Sequence, residues 1–187
     1  MLTLYYSPGS SSLAVHIALN EVGAKFDAKP LTLQQGTRAP AFLAINPNGK
    51  VPVLAIDGRP LTEVAGCLFY LARAYPQARL LPVNDPEAEA QVVSWMSFIA
   101  SAIHPSRQAG PERVREVWQV AERRLGGKEW AVGDAYSIAD IHLFRLYWRF
   151  REPLEFKPTD YPGIHAHYER MLARPAVKKT IEAEKMA

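Results

Sequence analysis

The sequence predicts an α/β half of element order βαβαββα followed by an all-helical half, on three observations. An aliphatic and aromatic run, Leu2 to Tyr6, breaks at Ser7-Pro8-Gly9 and passes into helical spacing at Leu13, Ala14, Ile17 and Ala18. A second β-like run, residues 50–56, meets the hairpin dipeptide Asp57-Gly58 and returns through Arg59-Pro60-Leu61. Beyond a proline-bearing stretch, residues 75–86, the apolar residues recur at helical spacing only.

Taken in order, the first strand ends where proline fixes φ and glycine turns freely. The first helix follows and stops at Gly23. Residues 26–33 read as a short strand near a sheet edge, because Pro30 removes a ladder donor. Gln34 to Arg38 is a polar loop, and residues 39–45 can make one or two helical turns. Asn46-Pro47-Asn48-Gly49 is dense turn chemistry leading into the third strand. After the hairpin, Thr62 is a candidate cap for the next helix, with Glu63 in its first turn, where the helix dipole favours negative charge. Val64, Cys67, Leu68, Leu71 and Ala72 give that helix an apolar face.

In the second half, residues 87–103 form a long amphipathic segment with Val92, Trp95, Met96, Ile99 and Ile103 on one side. Residues 104–111 read as a break, 112–125 as a helix ended by Gly126-Gly127, and 130–136 as a connector. Ser137-Ile138-Ala139-Asp140 has a hydroxyl at the cap and a carboxylate three residues on, a capping-box variant that opens an apolar helix. Tyr161-Pro162 starts another helix, and Arg174-Pro175 separates it from a last short one. The predicted division is residues 1–76, a linker over 77–86, and a helical domain over 87–187.

Composition narrows the function classes. The 187 residues are 48% hydrophobic and 22% charged, which suits a packed core. The net charge is only +3 and the basic residues are scattered, so no nucleic-acid partner is indicated. One cysteine, Cys67, excludes an internal disulfide and suits a reducing compartment. The N-terminus lacks a basic n-region with an apolar h-region, and no apolar run approaches membrane-spanning length, so no membrane partner and a cytoplasmic location are expected.

Chemistry-bearing residues concentrate at the opening turn. Three serines, Ser10, Ser11 and Ser12, stand where unpaired backbone N–H groups begin a helix. Such hydroxyls cap helices, and such a place also holds an anion or a thiolate. Other constellations fail. His165 and His167, like Asp140 and His142, are two apart and share no helix face, so no metal site is expected. No glycine loop ends in Gly-Lys-Ser/Thr. Cys67 lies on an apolar face and reads as inert, and the four tryptophans read as core.

The element order, with Val51-Pro52 at the third strand, resembles the thioredoxin-like half of the glutathione S-transferase family, and several stretches agree with it. Residues 5–14, Tyr-Tyr-Ser-Pro-Gly-Ser-Ser-Ser-Leu-Ala, resemble the opening of the bacterial beta class, which usually has a cysteine where Ser10 stands. Residues 43–52 resemble the loop into the third strand, where the family's proline is cis. Leu61-Thr62-Glu63 resembles the turn that holds the γ-glutamyl end of glutathione. Residues 137–140 are similar to the family's folding box, and residues 170–177 to its C-terminal signature. The resemblance covers nearly the whole chain. It implies a mixed four-stranded sheet plus a helical bundle, and a transferase that makes the glutathione thiolate attack small hydrophobic electrophiles. Glutathione is then the co-substrate, with no other cofactor, and the implied assembly is a homodimer packed through the first two helices of the helical domain. The alternative is a non-catalytic or weakly active member that binds glutathione or another ligand, motivated by Val64, Ala102 and Pro105, which depart from the family's usual residues. A glutaredoxin-like reductase would need a cysteine at the opening turn.

The resemblance also implies site residues. Ser11 is first choice as hydrogen-bond donor to the sulfur, Ser10 second, and Tyr5 or Tyr6 third, with sheet packing the favoured role for both tyrosines. The Val51 backbone beside Pro52 would pair with the cysteinyl part of glutathione. Glu63 would take the γ-glutamyl ammonium and the Val64 N–H its carboxylate. Lys50 or Gln35 would meet the glycyl carboxylate. His104 would lie near the sulfur or across a dimer interface, or else be a cation at a helix end.

Overall fold

The computed structural model describes residues 1–185, and Met186 and Ala187, the end of the predicted helical domain, lie outside the described residues. Two compact units are present, one built from Met1–Ala78 together with the last helix and the other from Arg79–Arg174. Among the described residues no helix is long and apolar enough to cross a membrane.

The first unit runs β1 (Leu2–Tyr6), α1 (Ser12–Glu21), β2 (Phe26–Pro30), α2 (Pro40–Leu43), β3 (Val53–Ile56), β4 (Arg59–Thr62) and α3 (Val64–Ala74). Its four strands lie in the order β2-β1-β3-β4, with β1 and β2 parallel and the other two pairs antiparallel. The proline-bearing strands, β2 and β4, are the two edges, as their missing donors require. Leu2, Leu4 and Tyr6 are buried while Thr3 and Tyr5 are half-exposed, the alternation of a strand covered more fully on one face. The unbroken run Ser12 to Leu19 is buried in α1, and Gly23, at φ +65, turns the chain out of that helix. Gly49 sits at φ +58 in the loop before β3, where an added Cβ would lie 2.8 Å from the Thr37 carbonyl oxygen, so only glycine fits.

The second unit runs α4 (Pro86–Phe98), a π-helical turn (Ile99–Ile103), α5 (His104–Ser106), α6 (Pro111–Leu125), α7 (Ile138–Phe150) and α8 (Pro162–Ala173). Ten consecutive residues of α7, Ile138 to Tyr147, are buried, so α7 is the axis of this unit. The capping box predicted at its start is present: Ser137 N–H donates to Asp140 Oδ2 at 2.8 Å, and Ser137 Oγ accepts from the Ala139 N–H. Asp140 Oδ1 also accepts from the Ala131 N–H at 2.7 Å and pairs with His167 Nε2 at 3.0 Å, which fixes the connector and α8 to α7.

Three expectations need correction. Helical structure does not break at His104: the π-turn inserts a wider loop of backbone, His104 N–H bonds to the Ile99 carbonyl, and the chain stays helical through Pro105, whose ring nitrogen has no proton to offer the ladder. Thr62 ends β4 instead of capping α3, and Glu63 occupies the cap position itself, without a side-chain cap bond. The last helix, α9 (Pro175–Lys185), packs on α1 in the first unit instead of joining the helical domain over 87–187.

Candidate functional site

The sheet register assembles one end of the first unit. Tyr5 pairs with Val53 and Val53 with Thr62, so one step further along the strands stand the Ser7–Ser11 turn, the Val51-Pro52 pair and Glu63-Val64. β2 runs parallel to β1, and Leu31 N–H donates to the Tyr6 carbonyl at 2.7 Å, which brings the loop bearing Gln35 out at the same end. The Val51-Pro52 peptide is cis. Thus Tyr5, Ser10, Ser11, Gln35, Lys50, Val51, Pro52, Glu63 and Val64 stand toward the same end of the sheet. His104 belongs to the second unit, where it is exposed just after the π-turn.

The serines divide their labour by hydrogen bonding. Ser12 is buried, and its Oγ donates to the Ser7 carbonyl and accepts from the Ser7 N–H, both at 3.1 Å. Ser10 Oγ lies 2.7 Å from Ser12 Oγ and accepts from the Ser12 N–H at 3.3 Å. A hydroxyl has one proton, so the Ser12 bonds can coexist only if Ser10 donates to Ser12. The Ser10 proton is therefore spent inside the turn, and Ser10 is the residue that caps α1. Ser11 is half-buried, sits at the cap position with no side-chain cap bond, and its hydroxyl has no hydrogen bond among the described residues.

The tyrosines are engaged in packing. The Tyr5 ring lies 5.8 Å from that of Phe42. Tyr6 is buried edge-on to His16 at 5.2 Å, and burial, then the Glu184 carboxylate, push its phenol above its ordinary pKa. Glu63 stands at φ +66, a conformation costly to a residue with a side chain, and points the chain into α3. Glu63 makes no side-chain cap bond and no acid stands in the first turn of α3, so the positive end of its helix dipole has no carboxylate of that turn to offset it. Lys50 and Gln35 are exposed, and the Lys50 carbonyl accepts from Asn46 Nδ2 at 2.7 Å, which ties the turn before the cis peptide. Cys67 is fully buried and its thiol is pushed up to about 12, chiefly by burial, which leaves it unreactive.

Two residues were not singled out from the sequence. Glu184, on α9, accepts from the Gly9 N–H at 2.7 Å with one oxygen and pairs with His16 Nδ1 at 2.9 Å with the other. Both side chains are only 5% exposed. The turn that carries the serines is thus held by a carboxylate from the far end of the chain. The signal was present: Val177, Thr180 and Glu184 share one face of an amphipathic helix, and a carboxylate on a buried face requires a partner.

Known proteins resemble the chain from end to end. The N-terminal domain model of the glutathione S-transferase family matches residues 1–73, and the C-terminal domain model matches residues 88–175. The chain is 30% identical over 200 residues to the glutathione S-transferase GstA of Escherichia coli O157:H7, across 98% of each chain. A sphingomonad glutathione S-transferase solved in complex with glutathione is similar at a TM-score of 0.89 and 31% identity, over 99% of this chain and 100% of that one. The bacterial beta class enzyme of Sphingomonas chungbukensis is similar at 0.88 and 32%, with the same coverage. With both domain models matched in order and the relatives aligned from end to end, the chain belongs to the glutathione S-transferase family.

Proposed function

We propose that this transferase holds glutathione at this end of the sheet and stabilises its thiolate with the Ser11 hydroxyl for attack on small apolar electrophiles. The observation that carries the assignment is the proton count at the opening turn: Ser10 and Ser12 have spent theirs, and Ser11 has not. A free thiol with a pKa of about 8.5 is mostly protonated near neutrality, and a donor at a helix N-terminus lowers that value. A shift of about one to two units, worth roughly 1.4 to 2.8 kcal/mol, populates the nucleophile. The sulfur then bonds to the electrophilic carbon and the leaving group departs with its electron pair.

The remaining contacts follow from the same end of the sheet. The Val51 backbone beside Pro52 pairs with the cysteinyl unit, the uncapped N–H groups from Val64 onward take the γ-glutamyl carboxylate, and Glu63 takes its ammonium. Lys50 and Gln35 are placed for the glycyl carboxylate. The helical unit receives the electrophile, with His104 on that side. The homodimer packs through α4 and α6, where Val93 and Val120 are 50% and 40% exposed. A cytoplasmic location fits a single buried thiol.

The test is conjugation of glutathione to a neutral aryl halide by the wild type and by Ser11→Ala, with the bound thiol titrated by thiolate absorbance. Loss of one donor to a charged acceptor is expected to cost about tenfold or more in kcat/KM and to move the thiol titration upward. A variant that binds glutathione and loses neither rate nor thiolate overturns the Ser11 assignment. A wild type that binds glutathione without turnover overturns the enzyme reading in favour of a binding protein. Light scattering tests the dimer.

A further inference from the structure

The second unit contains a cavity of about 400 Å³, lined by none of the residues assigned to glutathione above. Its walls all come from α6 and from the connection between α7 and α8, so it lies within that one unit. The volume is that of a small-molecule site. On α6, Arg115, Gln119 and Glu122 stand at i, i+4 and i+7 and so share a face. The Glu122 carboxylate accepts from the Gly163 and Ile164 N–H groups at 2.7 and 2.9 Å, which fixes the start of α8 against that face. The connection that forms the other wall is tied to itself. Phe156 N–H donates to the Arg151 carbonyl at 2.9 Å, and Lys157 N–H donates to Asp160 Oδ2 at 2.8 Å.

The cavity pairs an aromatic wall with charges of both signs. The Phe156 and Tyr161 rings line it edge to face, 5.0 Å apart, and both pack on the buried Trp118, at 5.9 and 6.3 Å. Tyr161 is only 3% exposed, yet its hydroxyl makes no hydrogen bond among the described residues. Burial, then the Asp160 carboxylate, push this phenol above its ordinary pKa while Arg115 acts the other way, so it remains a proton donor near neutrality. Two cations, Arg115 and Lys157, and two carboxylates, Glu155 and Asp160, complete the lining. Among the described residues the Arg115 guanidinium, the Lys157 ammonium and the Glu155 carboxylate have neither an ion pair nor a side-chain hydrogen bond. An anion alone would meet the two carboxylates, and a cation alone would meet Arg115 and Lys157. A ligand with both charges beside a flat apolar body has a partner for each part.

We propose that this cavity binds a free aromatic amino acid, with its ring against Phe156 and Tyr161, its carboxylate on the Arg115 guanidinium and the Tyr161 hydroxyl, and its ammonium on Glu155. A guanidinium is matched to a carboxylate by its planar fork of donors, and aromatic rings pack edge to face as Phe156 and Tyr161 already do. No bond is made or broken. The inference goes beyond the transferase reading and does not rest on it.

The experiment is calorimetric titration of the full chain with four probes: L-phenylalanine, phenylpropionate, phenethylamine and glycine. The second lacks the ammonium, the third the carboxylate and the fourth the ring. L-phenylalanine is expected to bind once per chain, and each truncated probe to bind about tenfold or more weaker, the scale of one charge-assisted hydrogen bond. Arg115→Met is expected to weaken L-phenylalanine and phenylpropionate by about tenfold or more and to leave phenethylamine unchanged. Glu155→Gln is expected to do the reverse, weakening L-phenylalanine and phenethylamine and sparing phenylpropionate. Both side chains are exposed, and neither belongs to the glutathione site, so conjugation of glutathione should proceed in both variants at the wild-type rate. Should a variant fail to fold, the order of the four probes on the wild type decides alone. No saturable binding of L-phenylalanine overturns the proposal, as does phenylpropionate or phenethylamine binding as tightly as L-phenylalanine. Binding that saturating glutathione abolishes and Arg115→Met leaves intact overturns it as well, because the ligand would then occupy the glutathione site. A wild type that binds L-phenylalanine in the expected order but conjugates no glutathione would overturn only the transferase reading.

Discussion

At the scale of the residue, three adjacent serines of the same chemistry have different work, and only hydrogen-bond geometry separates them. Ser10 caps α1 through the Ser12 N–H and donates to Ser12 Oγ, so Ser10→Ala is expected to cost stability, about 1 kcal/mol for a lost cap, while sparing the donor to sulfur. Ser11→Ala is expected to do the reverse. Melting curves read beside kcat/KM for the two variants check the division, and a Ser10→Ala enzyme that melts like the wild type but loses the thiolate would exchange the two roles. Cys67 makes a second prediction. Its thiol is pushed up to about 12 by burial. The folded pKa lies above the unfolded one, so this contribution to stability is complete below the unfolded value of about 9 and is lost as pH rises toward 12. A disulfide reagent at mildly alkaline pH should label Cys67 only as fast as the protein unfolds, and prompt stoichiometric labelling of the native protein would refute it. The serines and Glu63 stood out in the sequence through their helix-start positions, and the cis peptide at Pro52 was implied by the family resemblance and is present. The sequence could not rank Ser10 against Ser11, since the choice depends on which hydroxyl finds Ser7 and Ser12 in three dimensions.

At the scale of the element, α9 shows what periodicity alone leaves open. Its helical spacing was legible, but not its destination, because an amphipathic face shows that a helix packs and not against what. The structure sends it to α1, where Asn20 Nδ2 donates to Thr180 Oγ1 at 2.9 Å and Glu184 joins His16 to Gly9. The sequence-level reading of a break at His104 failed for a related reason: Pro105 is a breaker in a regular α-helix, whereas the π-turn before it absorbs the interruption. Glu184→Ala would strip a buried pair of one partner and leave the Gly9 N–H unsatisfied. Breaking such pairs costs about 3 kcal/mol or more, which for a chain of this size lowers Tm by about 6 to 12 °C. Because Gly9 precedes Ser10 and Ser11, the same variant should raise the glutathione thiol pKa as well, and Glu184→Gln, which keeps an acceptor for Gly9, should recover part of both effects. Thermal melts together with thiolate titration would test this; a loss of Tm with an unmoved thiol pKa would confine Glu184 to stability.

At the scale of the whole molecule, the chain is two units whose boundaries are not those of the sequence. The proline-bearing stretch near residue 78 was legible as a boundary because composition changes there, and the element order of the first 74 residues was legible because each strand and helix carries its own turn chemistry. The return of the chain to the first unit at Pro175 was not, since nothing local marks a helix as belonging to a partner 160 residues earlier, the separation of Asn20 from Thr180. The first unit is therefore incomplete until the last helix is made, whereas the second, Arg79–Arg174, is continuous and encloses its own core around Trp95, Trp118, Phe144 and Tyr147. Ending the chain at Arg174 would remove Ala176, Val177, Thr180 and Glu184 from the surface of α1 and leave His16 buried without its carboxylate. Each fully buried aliphatic side chain is worth about 1.5 to 3 kcal/mol and a broken buried pair about 3 to 5, a sum comparable to the stability of a small domain. Limited proteolysis of the truncated chain should then cut within residues 1–78 while a fragment containing residues 79–174 persists, and glutathione should no longer protect against cleavage. Equal resistance of both segments, with glutathione binding intact, would show that α9 is dispensable to the unit it closes.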